Sequence, residues 1–488
     1  MVTGIVGGLI VAFDGEEHRL LEDGVVVYEG DKIIHVGKSY PGRLDVRIDA
    51  RKRLVIPGFI DIHSHISGCP FERGYRTDGS SRKLYNSDLP DRGPPFWESA
   101  TPEDRRVAMR YSMAELLKGG VTTVVDMGSV EGVGAKESVE LATSSGMRSY
   151  LLACYVSGKW YSSDGHRVQY ENFDGETWDE KPGFKGLDEA IRFIKKYNGS
   201  SNGLVRSFLC PMQVDTCSPA LFKETRKVAD EHNLLIQTHV SQSVVEFREM
   251  LHRHGKTPLR FLASLGVLGN RLIAGHAMLI GGHSKTGYAD PWNEDIRLLA
   301  ETGTSIAHCV HAFARYGIAL ESYSKYLRMG VNIGLGLDTF PLDMIREMKL
   351  ASLISKIVEG EASVASSMDL FNSATLRGAK ALKRPDLGRI APGAKADIVL
   401  INLDTFNMRP VVDPIKHLVH VATNTDVDTV IVEGKTVVEG GNVIGFDEEK
   451  IFDEIQKSME RIWERVPEFD RRGRTAKEIN PPSLKKWK

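Results

Sequence analysis

The sequence predicts an α/β chain: a TIM (β/α)8 barrel with a small β-sandwich domain formed by both chain ends. Three observations predict it. Eight short apolar runs alternate with helical signals through the middle of the chain, which is the pattern of βα units around a parallel sheet. The two ends differ, carrying pairs of short strands around Gly-containing turns. Finally, histidines and an aspartate fall at the C-terminal ends of the apolar runs, the rim on which such barrels build their active sites.

The elements follow in order. GVVVYEGDKIIHVGK reads as two strands around Glu29, Gly30 and Asp31, and DVRIDARKRLVIPG adds one more. A mirror appears late, in KADIVLINLD and then DTVIVEGKTVVEGG, around Glu433, Gly434 and Lys435. The expected plan is a sandwich domain from 1–54 and 388–445 and an inserted barrel from 55–387. A tail over 446–488 should be helical, then extended, and available to a subunit contact. The barrel runs are VIPGFIDIHSH, TTVVDMG, RSYLLACYV, LVRSFLCP, LLIQTHV, LIAGHAM, TSIAHCV and NIGLGLDT. Each is nearly continuous in apolar character, as strands buried on both faces should be. Between them, Thr101 and Pro102 open a helix that stops at Gly119 and Gly120, and Ser218 and Pro219 open another.

Composition narrows the function. The 488 residues allow a large core, and the formal net charge of −2 gives no basic field for nucleic acid or an anionic membrane. A small, neutral substrate is expected. The five cysteines are scattered, odd in number and without a CxxC pair, which points to a reducing compartment. The first residues lack the basic region and cleavage site of a signal peptide, and no apolar stretch is long enough to span a bilayer. The expected location is cytoplasmic.

His63 and His65 stand two apart on a strand, so both imidazoles face the same side. A bare HxH is weak and fits a pair of partly exposed core histidines equally well. The later partners decide. His239 ends the fifth run, His276 the sixth and Asp338 the eighth. Three imidazoles and a carboxylate suit Zn²⁺ or Fe²⁺ and leave room for a water. Asp338 also reads as a turn or helix-cap residue, a role compatible with ligation.

VIPGFIDIHSH, THVSQ, AGHAM and GLGLDT resemble the metal motifs of the amidohydrolase superfamily, and more narrowly its cytosine deaminase and triazine hydrolase branch, often labelled chlorohydrolase. LFNSATLRGAKAL followed by LGRIAPGAKADIVLINLD resembles the closing helix and the return to the second domain, so the likeness runs to about residue 445. The resemblance implies that His63, His65, His239 and Asp338 hold one divalent metal, Zn²⁺ in first place and Fe²⁺ as the alternative. It puts His276 beside the bound water or the substrate atom under attack. Two-metal members carry a carboxylated lysine at the end of the fourth strand; LVRSFLCPMQ has none, so a mononuclear site is expected. On this reading a metal-bound hydroxide cleaves a non-peptide carbon–nitrogen bond in a small, cyclic substrate, and Asp338 accepts the water's proton. Relatives of this architecture self-associate, so a homo-oligomer is expected. A binding protein on a dead barrel is the rival class, and the presence of all four ligands argues against it.

Two departures matter. Deaminases of the branch place a glutamate three residues after the fifth-strand histidine; this chain has Gln242. A neutral amide hydrogen-bonds but does not shuttle protons. Glu246 is the candidate replacement, though its position reads as a solvated helix residue. Gln242 therefore joins Asp338 and His276 in the catalytic set. The alternatives to the main reading are an aminohydrolase of a nucleobase-like ring and a hydrolytic dehalogenase of a heteroaromatic ring. The second departure is HCVHAFARYG after the seventh run, where relatives carry a proline. His308 is expected behind the site or facing substrate. His311 is either a polar group at the mouth or a loop histidine bonded to backbone, and Arg315 either pairs an anionic group or forms a salt bridge.

Connections 66–100 and 157–186 are long, as functional loops are. They hold Tyr75, Tyr85, Phe96, Trp97, Trp160, Tyr161, Tyr170 and Trp178, some of which should stack on a planar substrate. Trp97, Tyr85, His308 and His311 form the expected substrate-binding set.

Overall fold

The computed structural model describes residues 1–75, 78–79 and 81–487; Arg76, Thr77 and Ser80, within the long first connection, and Lys488 lie outside the described residues. The chain opens with β1 (Val2–Phe13), β2 (His18–Glu29), β3 (Lys32–Gly37), β4 (Val46–Asp49) and β5 (Arg53–Pro57). The first three form an antiparallel meander. DVRIDARKRLVIPG, read above as one strand, forms two. β4 runs parallel to the first half of β1 and β5 to its second half.

The middle of the chain supplies β6 (Phe59–Ser64), β7 (Val121–Met127), β8 (Arg148–Leu152) and β9 (Cys154–Tyr155). A short hairpin of β10 (Trp160–Tyr161) and β11 (Gln169–Tyr170) follows. Then come β12 (Val205–Arg206), β13 (Cys210–Pro211), β14 (Ile236–Val240), β15 (Leu272–His276), β16 (Ser305–His308) and β17 (Asn332–Leu335). Pairing is parallel throughout from β6 to β8 and β12, in β9 with β13, and from β14 to β17. Single parallel bridges, Leu209 to Ile236 and Gln213 to His239, join the first set to β14. A third bridge, Ser64 to Asp338, returns from the end of β17 to β6. Ile60, Ile62, Val125, Leu152, Phe208 and Ile273 form a buried cluster with side chains from the helix Leu376–Ala381.

The first apolar run splits at Gly58. Residues up to Pro57 pair in the outer sheet and those from Phe59 pair with β7, so the change of sheet falls three residues later than the sequence reading puts it. The crossing is tight, since a Cβ on Gly58 would lie 2.1 Å from Thr122 Oγ1. The chain then returns with β18 (Ile398–Asn402), β19 (Val427–Val432), β20 (Lys435–Glu439) and β21 (Asn442–Val443). β18 lies antiparallel between β5 and β19. Both chain ends are thus hydrogen-bonded into one nine-stranded sheet. Ile5, Ile10, Val26, Val55, Ile398 and Ile431 form its own core.

Arg148, at the start of β8, ties that sheet to the parallel strands. It is fully buried, donates to Asp397 at 2.8 and 3.0 Å and pairs with Glu433. Helix starts follow the sequence signals. Thr101 and Asp104 form a capping box on Pro102–Lys118, and Ser218 caps Pro219–Glu231 through Leu221 N.

The tail is helical over Glu448–Phe469, as expected, and part of its apolar surface lies on its own chain. Ile462, Val466 and Ile479 pack with Phe71, Tyr75 and Phe96 of the first connection. Arg461 pairs with Asp104, and Arg474 with Asp91. Among the described residues no helix is long and apolar enough to cross a membrane.

Candidate metal centre and active site

The register of β6 against β7 slips between Asp61 and Ser64, so the strand is irregular where His63 and His65 sit. Their rings stand 5.3 Å apart and nearly perpendicular. β14 ends at His239 and Val240, and β15 at His276. These rings lie 4.8 and 4.7 Å from that of His63. Asp338 is anchored beside them by backbone bonds from its N to His63 O and from His65 N to its O, both 2.8 Å. Its Oδ1 lies 3.5 Å from His65 Nε2 and 4.0 Å from His63 Nε2. Asp338 and His276 have φ values of 59° and 76°, a left-handed backbone that costs side-chain-bearing residues and is concentrated at functional sites. His63 sits in a space cleared by glycine, since a Cβ on Gly336 would meet its Cβ at 2.8 Å.

Hydrogen bonds set the tautomers. His65 Nδ1 donates to Met127 O at 2.9 Å and His239 Nδ1 to Met212 O at 2.7 Å. That leaves the two Nε2 atoms, each with its lone pair, facing each other at 3.2 Å. Both ring nitrogens of His63 and Nδ1 of His276 are buried with no partner among the described residues. Burial holds His239 down to about 3, and His63 and His276 well below the ordinary imidazole value. These are neutral imidazoles, the ligating form, and their buried lone pairs are costly without a partner. A divalent cation would satisfy them together. His63, His239 and His276, and likewise His63, His65 and Asp338, offer ligand atoms within 4.8 Å of one another. His276 therefore stands as close to His63 as the residues predicted to be ligands.

Buried carboxylates pin the surrounding backbone. Asp61 accepts from Ser64 Oγ at 2.5 Å and from His63 N and Leu337 N at 3.1 Å, and burial pushes it up to about 7. Glu246 corrects the sequence reading. It is not solvated but fully buried, and it accepts from Ser241 N at 2.5 Å and Gln242 N at 3.2 Å. Burial, and then the charge of Asp215, push its carboxyl well above the usual range. Glu347 does the same for Val310 N and His311 N, and burial raises it to about 8. Asp61 and Glu347 escaped the sequence reading. Asp61 had one available signal, its place two residues before His63 in the metal-binding run.

A cavity of about 780 Å³ opens over His65, His239, Gln242 and Asp338. Trp97, Tyr85 and Trp160 line it, with Phe313 and Tyr316. Trp97 Nε1 donates to Glu72 Oε1 at 2.9 Å. Glu131 lines the same space. Two predicted substrate residues are not on the cavity wall. His308 is buried with its ring 6.0 Å from that of Tyr323. His311, in the helix Val310–Ala314, is held through its backbone N by Glu347. Arg315 lines the cavity, lies over the Phe340 ring at 4.0 Å and donates to Thr339 Oγ1 at 2.7 Å. Among the other loop aromatics, Tyr75 and Phe96 stack on each other at 4.0 Å in the core, and Tyr170 and Trp178 pack on Arg253.

Buried neutral imidazoles and a carboxylate at the strand ends, beneath a cavity of small-molecule size, define a metal-dependent hydrolase. The model of the amidohydrolase family matches residues 54–437, and the chain belongs to that family. It is similar to the 5-methylthioadenosine/S-adenosylhomocysteine deaminase of Thermococcus kodakarensis, at 33% identity over 85% of this chain and 89% of that protein. The 5'-deoxyadenosine deaminase of Methanothermobacter thermautotrophicus is 30% identical over 88% and 92%. Among solved structures, zinc-bound atrazine chlorohydrolase of Arthrobacter aurescens superposes with a TM-score of 0.78 at 25% identity, over 94% of this chain and all of that one. A zinc-bound adenosine deaminase of Xanthomonas campestris gives 0.80 at 21% identity over 94% and 98%, a likeness of fold. The chain is an enzyme that uses a divalent metal to hydrolyse carbon–nitrogen bonds other than peptide bonds.

Proposed function

We propose that the enzyme is an aminohydrolase that removes ammonia from the ring of an adenosine-like nucleoside, within a closed (β/α)8 barrel. We propose one Zn²⁺ as its metal, with Fe²⁺ the alternative. The observation that carries the reading is the cluster of His63, His65, His239, His276 and Asp338 at the foot of a 780 Å³ cavity, a volume suited to a nucleoside. The deaminases that match at 30% identity or more over most of the chain support the choice of substrate. The cytoplasmic homo-oligomer of the sequence reading stands as part of the proposal.

When bound, the ion supplies Lewis acidity, lowering the pKa of a water toward about 7. His63, His65, His239 and Asp338 would hold it, and the Met127 and Met212 carbonyls aim two of those rings. Asp338 is the carboxylate of the cluster that also lines the cavity, so it is placed to take a proton from the attacking water and pass it to the leaving nitrogen. His276 orients the nucleophile. Gln242, 6% exposed on the cavity wall, hydrogen-bonds a ring nitrogen without exchanging a proton. Trp97 and Tyr85 offer faces for the ring.

Gln242 also favours a second reading. With a neutral amide at that position and Glu246 engaged by backbone, a leaving group that needs no proton is served equally well. That supports hydrolytic dehalogenation of a heteroaromatic ring.

The deciding experiment combines metal content with product analysis. Native enzyme is expected to hold about one equivalent of metal per chain, to lose it in His239→Ala, and to release ammonia from 5'-methylthioadenosine. Chloride from a chlorotriazine with no ammonia from any aminopurine would replace this reading with the second. Metal-free native protein would sink both.

A further inference from the structure

A second cavity lies at the other end of the parallel strands. It occupies about 650 Å³ and is lined by Gly330, Val331 and Asn332, at the start of β17, by Phe13 at the end of β1 and by Glu16 in the turn that follows it. The active-site residues stand at the opposite, C-terminal ends of these strands. Five cations line this second space, namely Arg377, Lys380, Lys383, Arg384 and Arg389, against the single carboxylate of Glu16. The chain as a whole has a net charge of −2, so the patch is not a sample of a basic surface.

Two of the five cations are neutralised locally. Arg384 makes a two-pronged bond to Asp386, 2.7 Å on each arm, and Arg377 pairs with Asp369 at 3.5 Å. Lys380, Lys383 and Arg389 have no carboxylate within ion-pair distance among the described residues. Arg389 is held in place by lying over the Phe13 ring at 4.4 Å and by donating to Leu387 O at 3.4 Å, which leaves the end of its guanidinium available. Lys383 is fixed at φ 55°, a left-handed conformation that a lysine adopts at a cost. The positive field is felt nearby. Lys383 is held below the ordinary lysine value by burial and by Lys380 and Arg271, and the buried His18 is lowered to about 4 by burial and then by Arg389.

We propose that this cavity binds the polyphosphate group of a small molecule, with Lys380, Lys383 and Arg389 as its ligands. Like cations set around one concavity repel one another until an anion enters, and several fixed donors discriminate a di- or triphosphate from a single charge. The site lies apart from the catalytic cavity and is independent of which ring the enzyme hydrolyses.

The test is calorimetric titration of the native full-length enzyme with inorganic tripolyphosphate in low-salt buffer. Saturable binding of one tripolyphosphate per chain, tighter than orthophosphate, is expected. The double variant Lys380→Ala/Lys383→Ala should bind at least about ten-fold more weakly while keeping its unliganded melting temperature. Glu16→Gln, which removes the one carboxylate in the lining, should bind more tightly than native. ATP as a second titrant separates the possible sources. Binding tighter than that of tripolyphosphate and weakened in the double variant assigns a nucleotide, and equal binding assigns the phosphate chain alone. Absence of saturable heat with the native enzyme, equal affinity in the double variant, or weaker binding by Glu16→Gln would each overturn the site.

Discussion

His63 keeps both ring nitrogens buried with no partner among the described residues, so the demand for a cation concentrates on it. Its place at a strand end beside His65, with His239, His276 and Asp338 at later strand ends, was enough to gather the five side chains that the structure brings together. What the spacing did not carry was which neighbouring groups are buried. Glu246 reads as a surface position because helical periodicity reports a face, whereas the structure turns it inward onto Ser241 N and Gln242 N. His308, the last residue of the seventh strand, and His311, in the short helix Val310–Ala314 that follows, were read as facing substrate, yet neither lies on the cavity wall. Gln242 is the residue whose chemistry is most open to test. Gln242→Glu restores a proton carrier at a cavity-facing position, and general acid–base help of this kind is worth about 100-fold or more. A rise of at least about ten-fold in ammonia release is expected. An unchanged rate, with metal retained, would show that Asp338 already meets the demand.

At the scale of elements, apolar runs and cap signals located the strands and helices, and the errors fell where one run serves two sheets. Pro57 and Gly58 mark a break in VIPGFIDIHSH, but they do not say that the chain changes sheets there. The signal is steric, and it depends on Thr122, more than sixty residues away. Gly58→Val is accordingly expected to destabilise the fold by about 3 kcal/mol, read by denaturant unfolding, with part recovered in combination with Thr122→Ala. A loss below about 1 kcal/mol would mean that the crossing can yield. The helix Glu448–Phe469 makes the complementary point. Ile451, Ser458, Ile462 and Val466 mark a buried face, but periodicity does not say that the cover is Phe71, Tyr75 and Phe96 of the first connection.

For the whole molecule, alternation of strand and helix indicated the plan, and the mirrored ends indicated that they meet. Invisible in the sequence was the device that couples them, because Arg148, Asp397 and Glu433 are distant in the chain and each is unremarkable alone. Arg148 is fully buried, and Asp397 is 4% exposed. Removing one partner of such a group strands charge in a poorly solvated place. Arg148→Met is expected to cost about 3–5 kcal/mol while the metal stays bound, read by calorimetry beside metal analysis. A melting temperature equal to native would show that the sheet and the parallel strands hold together without this arginine.

The pairing of β5 with β18 also bears on how the enzyme is made. The edge of β5 leaves the ribosome about 340 residues before its partner does, roughly 20–70 s of synthesis at 5–20 residues per second. For that interval the nascent chain carries an unpaired apolar strand edge, a demand on chaperones set by topology alone. Arrested nascent chains that stop short of residue 398 are expected to be cut by protease within their first 57 residues, and chains extended past Val443 to resist. Equal resistance would show that the first five strands close on themselves and wait in a protected form.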